Sequence, residues 1–199
     1  MKGIFRLARK LGLIEERPEA SIDATGLESH HISRHFLARQ GRMKRFRKYP
    51  KLTVVCHHRS HLIVAAEVRD GPYNDAADFS AAVRQAHAQL PISRLYGDAA
   101  YDSEAHHQFC REELGITSTV IPINHRGRPE ARPRGRYRRQ MDQNFPTRQY
   151  GQRWQVESVF SQHKRRLGSA LRARRSQARY RECFLRVLTH DLMILRRAS

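Results

Sequence analysis

The chain has 199 residues, of which 39% are hydrophobic, and this length allows one domain with a substantial core. Its 38 Lys and Arg residues against 19 Asp and Glu residues give a formal net charge of +19, which favours nucleic acid over an anionic membrane surface as the partner. No apolar run approaches the roughly 20 residues that cross a bilayer, and three scattered cysteines argue against a disulfide framework, so we expect a cytoplasmic protein.

The first half of the chain predicts three strands. Residues 20–27 alternate as a short strand that carries Asp23, and the basic, histidine-rich residues 29–50 predict a loop. The segments KLTVVCHH and HLIVAAEV, within residues 51–68, are rich in β-branched side chains and are separated by a short polar turn. These two segments therefore predict a hairpin.

The second half of the chain alternates helices with strands. Apolar residues at helical spacing predict a helix over 75–90, and the segment ISRLYGDAA (92–100) predicts a fourth strand whose exit carries Asp98. A helix over 102–115 and a fifth strand over 117–123 follow. This order of elements predicts an α/β fold in which helices flank a mixed five-stranded sheet.

Arginine dominates the last third of the chain. Residues 124–143 contain arginines among prolines and glycines without an apolar period, which predicts an exposed basic loop that contacts a nucleic-acid backbone. Helical periodicity then predicts two C-terminal helices, over 150–167 and 176–197.

Glu157 is the single carboxylate in the strongly basic segment 150–181. On a helical wheel it shares a narrow polar face with two cations and a phenol, and an apolar stripe adjoins that face. The polar face consists of Tyr150, Arg153, Glu157 and Lys164, and the stripe of Val156, Phe160, His163 and Leu167. A counter-charge on a solvated surface is the alternative interpretation. The two cations and the phenol beside Glu157 favour a site that binds phosphate and metal together.

Two further acids complete a candidate metal site. Asp23 lies on the first predicted strand and Asp98 at the end of the fourth, and the predicted sheet can bring both near Glu157. Two Mg²⁺ ions about 4 Å apart need oxygen ligands from several directions, which three carboxylates can supply. One ion would activate the attacking water or 3′-hydroxyl, and the other would stabilise the leaving oxygen.

Other polar residues have simpler interpretations. Three aspartates stand where helices begin and are interpreted as caps: Asp75, Asp78 and Asp102. A zinc site is disfavoured in the strand segment that contains Cys56, His57, His58 and His61, because neighbours on a strand point to opposite faces. Three histidines are assigned to a basic surface: His30, His31 and His35.

These residues together resemble a known family. The chain is similar to the catalytic region of DDE transposases of bacterial insertion sequences, in the branch marked by a Tyr-x2-Arg-x3-Glu-x6-Lys signature. The signature residues here are Tyr150, Arg153, Glu157 and Lys164. The segments SIDATGL around Asp23 and GDAAYD around Asp98 also match, and the resemblance covers roughly residues 20–170.

The resemblance implies both a fold and an activity. It implies an RNase H-like fold and an enzyme that uses two Mg²⁺ or Mn²⁺ ions to cut and join DNA at transposon ends, as a homodimer on DNA in the bacterial nucleoid. Metal binding and catalysis would fall to Asp23, Asp98 and Glu157. DNA binding would fall to Tyr150, Arg153 and Lys164, and Trp154 could stack on a displaced base.

The chain also departs from the family pattern. Only 22 residues precede Asp23, so we expect residues 1–19 to be a stub of a missing or reduced DNA-binding region and residues 20–199 to form the catalytic domain. Only 58 residues separate Asp98 from Glu157, too few for a large β-rich insertion. Two alternatives stay open: a truncated, non-catalytic DNA-binding remnant, and an RNase H-like nuclease acting on RNA, which leaves the signature unexplained.

Overall fold

This computed structural model describes residues 2–28, 49–125 and 132–198. Three parts of the sequence predictions lie outside the described residues: residues 29–48 of the predicted loop, the histidines His30, His31 and His35 within it, and the centre of the arginine-rich segment, residues 126–131.

A mixed five-stranded sheet forms the centre of the molecule. The strands are β1 Glu19–Gly26, β2 Tyr49–His57, β3 Ile63–Gly71, β4 Arg94–Tyr96 and β5 Ser118–Val120. The strand order is β3-β2-β1-β4-β5, with antiparallel pairing from β3 to β1 and parallel pairing from β1 to β5. The predicted five-stranded sheet of an RNase H-like fold is therefore confirmed, although β4 and β5 are shorter than their sequence patterns predict.

Helices cover both faces of the sheet and end the chain. They are α1 Lys2–Lys10, α2 Phe79–Gln89, α3 Glu104–Gln108, α4 Arg136–Gln143, α5 Thr147–Tyr150, α6 Trp154–Leu167 and α7 Ser176–Ala198. A 3₁₀ turn precedes α2, a π-helical turn extends α3, and a 3₁₀ turn over Gly151–Arg153 separates α5 from α6. In the described part of the chain, no helix has the length and apolar character that crossing a bilayer requires.

The sheet separates two hydrophobic clusters. One cluster joins α1, α2 and the π-helical turn after α3 to one face, and the other joins α6 and the first half of α7 to the opposite face. Side chains alternate along β1, so Ala20 and Ile22 enter the first cluster while Asp23 faces α6. This alternation decides which helix can meet the acid.

Helix α1 belongs to the same core. Its Ile4, Phe5 and Ala8 are buried in the first cluster, which also contains Leu195 near the end of α7. Residues 1–19, predicted as a stub of a DNA-binding region, thus include a helix that packs on the sheet domain.

Helix α4 corrects the predicted basic loop over 124–143. Glu104 accepts hydrogen bonds from the backbone N–H groups of Tyr137 and Arg138, at 3.1 and 3.0 Å, which satisfies two donors at the start of the helix. Tyr137 and Met141, four residues apart, are buried. That spacing was a weak sequence signal for a helix, and the contact with Glu104 supplies the stabilisation that the local sequence lacks.

The three predicted caps are also corrected. Asn74, not Asp75, accepts a backbone N–H at the turn before α2. Asp75, Asp78 and Asp102 form ion pairs with Lys51, Arg69 and Arg138, respectively. Asp78 stands at the N-cap position of α2 without a side-chain cap bond. In a chain with so many cations, a distant Lys or Arg competes with the local N–H groups for each acid.

Asp191 on α7 makes stability depend on pH. It is fully buried, and its Oδ1 accepts a hydrogen bond from the N–H of Ile63 at 2.8 Å. Burial raises its pKa from an ordinary value near 3.8 to about 8. Protonation of Asp191 therefore stabilises the folded state.

We expect the contribution of Asp191 to the free energy of unfolding to fall between about pH 4 and pH 8, because the unfolded chain ionises Asp191 there and the folded chain does not. Asp191→Asn keeps an oxygen for Ile63 and cannot ionise. At pH 8 the free energy of unfolding of Asp191→Asn should be higher than that of the wild type by more than about 1.4 kcal/mol, which corresponds to a tenfold change in proton affinity. Urea denaturation of both proteins at pH 5 and pH 8 measures this, and an equal pH dependence in the two would contradict it.

Candidate functional site

Two aspartates lie side by side just beyond the point where the parallel pairing of β1 with β4 stops. Ser21 of β1 is paired with Tyr96 of β4, and Asp23 and Asp98 each follow that pair by two positions. The carboxyl ends of parallel strands lie at the same edge of a sheet, so both acids reach that edge on the face that α6 covers. Parallel pairing of β1 with β4 is therefore what brings these two distant residues together.

The 3₁₀ turn before α6 brings a cation to this edge, and the first turn of α6 brings a third acid. Nη1 of Arg153 lies 3.2 Å from Oδ2 of Asp23, and Nη2 of Arg153 lies 2.5 Å from Oε1 of Glu157. One guanidinium therefore links the acid on the strand to the acid on the helix. The side chains of Asp23 and Arg153 are 18% and 20% exposed, whereas Glu157 is 59% exposed and accessible from solvent.

Backbone groups orient the two aspartates. Oδ1 of Asp23 accepts a hydrogen bond from the N–H of Ala24 at 2.8 Å. Oδ1 of Asp98 accepts one from the N–H of Ala100 at 2.9 Å and so caps the 3₁₀ turn Ala99–Tyr101 that follows β4. Each carboxylate is thereby fixed through its Oδ1, and Oδ2 of Asp23 accepts from Arg153 as well.

The electrostatics of the site are those of crowded acids. Burial raises the pKa of Asp23, and the negative charge of Asp98 adds to the increase. The N–H of Ala24 and the guanidinium of Arg153 oppose it by stabilising the ionised form. Repulsion between the two carboxylates favours any cation that enters between them.

Two tyrosines border the acids. Burial raises the pKa of Tyr150, which also senses the cation of Arg153 and the charge of Asp98. Tyr150 stacks edge-on against Phe145 with 5.1 Å between ring centroids. Tyr101 is fully buried, and its pKa is raised by burial and by both aspartates. The sequence signal for Tyr101 is its position in the segment GDAAYD, from which only Asp98 was predicted to belong to the site.

The remaining predicted DNA-binding residues lie along the same helix. Nζ of Lys164 donates a hydrogen bond to Oγ1 of Thr25 at 2.7 Å, two positions beyond Asp23 on β1. Trp154, at the start of α6, is 52% exposed beside Arg153. The helix therefore presents a cation at each end of its contact with β1 and an aromatic ring to solvent.

The predicted polar face is assembled with one change. Arg153 and Lys164 both contact β1, and Glu157 joins them through Arg153. Of the four residues, the continuous helix α6 contains only Glu157 and Lys164, because Tyr150 ends α5 and Arg153 ends the 3₁₀ turn before α6. The predicted apolar stripe is buried at Val156, Phe160 and His163, and the structure adds Val159, whereas Leu167 is only partly buried. Across the described ranges, no three His, Cys, Asp or Glu side chains are close enough to hold a metal ion.

Comparison with known proteins agrees with this geometry. The family model described as "Transposase DDE domain" matches residues 15–192 of the chain. A comparison with curated proteins gives no match. The matched range includes every strand of the sheet and each residue of the site described above.

Proposed function

Because the chain belongs to the transposase DDE domain family, we propose that it cleaves and joins DNA strands in the transposition of a bacterial insertion sequence, using divalent metal ions. The observation that carries the proposal is that Asp23 and Asp98 lie next to each other just beyond the paired residues of β1 and β4, with Glu157 linked to Asp23 through Arg153. A site with this many acids beside a guanidinium suits phosphate chemistry.

Asp23, Asp98 and Glu157 are the proposed metal ligands. All three offer hard carboxylate oxygens, which Mg²⁺ and Mn²⁺ prefer, and the mutual repulsion of the two aspartates makes the edge of the sheet attractive to a cation. When bound, the ions supply an activated water or 3′-hydroxyl and stabilise the leaving oxygen of the phosphodiester.

Arg153 has a proposed part in DNA binding. Its guanidinium already bridges Asp23 and Glu157, and a guanidinium binds phosphate oxygens with the same forked geometry as carboxylates. Arrival of metal and DNA would let Arg153 exchange its carboxylate partners for a phosphate oxygen. Tyr150 and Trp154 lie beside it and would contact the strand near the reacting phosphate.

Lys164 is proposed as a phosphate contact at the other end of α6. We expect Lys164→Ala to weaken DNA binding on every sequence and to reduce the slope of log K against log salt by about 0.9, the value for one phosphate contact. Lys10→Ala is the matched control, because Lys10 is exposed on α1, on the opposite face of the sheet. Fluorescence anisotropy with duplex DNA over a range of salt measures both slopes, and an equal slope in the two variants would argue against this contact.

The activity itself is tested with supercoiled DNA. We expect nicking and strand joining with Mg²⁺ or Mn²⁺ and neither reaction with EDTA. Salt-sensitive DNA binding without cleavage in any metal would instead support the alternative, a non-catalytic DNA-binding remnant. Sedimentation of the protein with DNA tests the accompanying proposal that the DNA-bound form is a homodimer.

A further inference from the structure

His61 lies in the turn between β2 and β3, far along the chain from α6, yet its ring contacts that helix twice. Nε2 of His61 lies 2.6 Å from Oε1 of Gln155, and Nδ1 lies 2.9 Å from Nε2 of Gln162. An amide N–H₂ can only donate, so Nδ1 accepts from Gln162 and Nε2–H donates to Gln155. Gln155 and Gln162 are seven residues apart, so one ring spans two turns of α6.

The backbone of His61 is held in an unusual conformation. Its φ of 60° makes it the only non-glycine residue at positive φ in the described ranges, in a region that favours glycine. Its N–H donates to the carbonyl of His57 at 2.9 Å, and its carbonyl lies 3.1 Å from Nε2 of His190 on α7. A histidine kept at such a position, with its ring and carbonyl both engaged, suggests a role for the side chain that glycine cannot fill.

The two flanks of α6 are fixed in different ways. On one flank, Arg153 and Lys164 hold β1 through Asp23 and Thr25. On the other flank, Gln155 and Gln162 hold the ring of His61. The ridge between the flanks is apolar and buried, formed by Val156, Val159 and Phe160. Apolar packing is non-directional, so the polar bonds on the flanks set the rotation of the helix.

We propose that His61 is a positioning residue that keeps Glu157 and Arg153 at the edge of the sheet during the reaction. This inference rests on the proposed function. The bonds on the β1 flank use the site's own side chains, and Arg153 gives up Asp23 when it turns to phosphate. The bonds to His61 involve none of the reacting groups, and they keep the helix in place when the first flank is released.

The test uses His61→Gly, which removes the ring. Glycine suits the positive φ and should raise stability, whereas loss of the two hydrogen bonds of the ring should lower it, so the two effects oppose each other. We expect a nicking rate constant lower by about tenfold to a hundredfold, since a small displacement of a catalytic group has effects of that size, with DNA affinity within about twofold. Arg59→Gly is the matched control, because Arg59 is an exposed residue of the same turn.

A second measurement does not depend on activity. Trp154 is the only tryptophan and lies next to Gln155, so its fluorescence reports on the start of α6. We expect acrylamide to quench the metal-free His61→Gly protein more strongly than the wild type or Arg59→Gly. If His61→Gly fails to fold, Gln155→Ala combined with Gln162→Ala removes the same two bonds and should have the same effect.

The outcomes separate the two proposals. Stronger quenching together with slower nicking supports both. Stronger quenching in a protein whose wild type does not nick supports the holding of α6 by His61 and refutes the proposed activity. Unchanged quenching, or unchanged nicking in a wild type that does nick, overturns the inference about His61.

Discussion

Asp23→Asn and Asp98→Asn are each expected to lower metal-dependent DNA cleavage by at least about a thousandfold. The contribution of the metal to catalysis is several kcal/mol, and each 1.4 kcal/mol is about tenfold in rate. Asparagine keeps an oxygen for the N–H of Ala24 or Ala100, so the local backbone should be retained. The measurement is the single-turnover nicking rate on supercoiled DNA over a series of Mg²⁺ concentrations.

The control for these variants is Asp142→Asn. Asp142 is an exposed carboxylate on α4, and its replacement changes the net charge by the same amount. It should nick at the wild-type rate, and all three variants should bind DNA as well as the wild type or slightly better, because each loses a negative charge. Full activity in Asp23→Asn or Asp98→Asn would refute the assigned metal ligands.

Asp102→Ala is expected to lower the free energy of unfolding by about 3 kcal/mol, the lower end of the range for breaking a buried ion pair. The side chain of Asp102 is fully buried and pairs with Nε and Nη2 of Arg138 at 2.8 and 2.7 Å. It also accepts the N–H of Asn124 at 2.8 Å. Removing it leaves a partly buried guanidinium and a backbone donor without this acceptor. Urea denaturation at constant pH measures the change.

An exposed ion pair provides the matched comparison. Arg84 and Glu113 lie 3.2 Å apart with side chains 60% and 61% exposed, and Glu113→Ala should cost less than about 1 kcal/mol. The loss in free energy of unfolding for Asp102→Asn should lie between those of Asp102→Ala and Glu113→Ala, because the amide oxygen can still accept the N–H of Asn124 while the charge is lost. Equal effects of Asp102→Ala and Glu113→Ala would show that α4 is not held by the buried pair.

The pair also has a consequence for the site. Asp102 directly follows the 3₁₀ turn that Asp98 caps, and it ties that turn to α4 through Arg138. Helix α4, which belongs to the segment predicted as a basic loop, therefore supports the position of a proposed catalytic acid. Loss of the ion pair between Asp102 and Arg138 would weaken the packing that positions Asp98 as well as α4.

The arrangement of Arg153 suggests how the site stays folded before substrate arrives. Asp23 is largely buried near a second aspartate, and burial of like charges is unfavourable without a cation. Arg153 supplies that cation from the N-cap position of α6 and pairs with Glu157 at the same time. The ion pair between Asp23 and Arg153 therefore stabilises both the helix position and the acids that are proposed to bind metal.

Several features of this protein follow from its sequence alone. The β-branched segments predict the hairpin of β2 and β3, and the alternation of helices and strands predicts the five-stranded sheet, because both patterns are local and periodic. The resemblance of the segments around Asp23, Asp98 and Glu157 to DDE transposases agrees with the family model described as "Transposase DDE domain". The spacing of Arg153, Glu157 and Lys164 predicts that they share one side, because a helix repeats every 3.6 residues.

Only the tertiary structure decides how the distant parts meet. The adjacency of Asp23 and Asp98 depends on which strands pair, and the helical state of residues 136–143 depends on Glu104 and Asp102, more than 30 residues earlier in the chain. The ring of His61 reaches Gln155 and Gln162 across about a hundred residues. Contacts of this kind leave no periodic trace in the sequence, because they are set by the packing of strands and helices that are distant in the chain and not by the order of neighbouring residues.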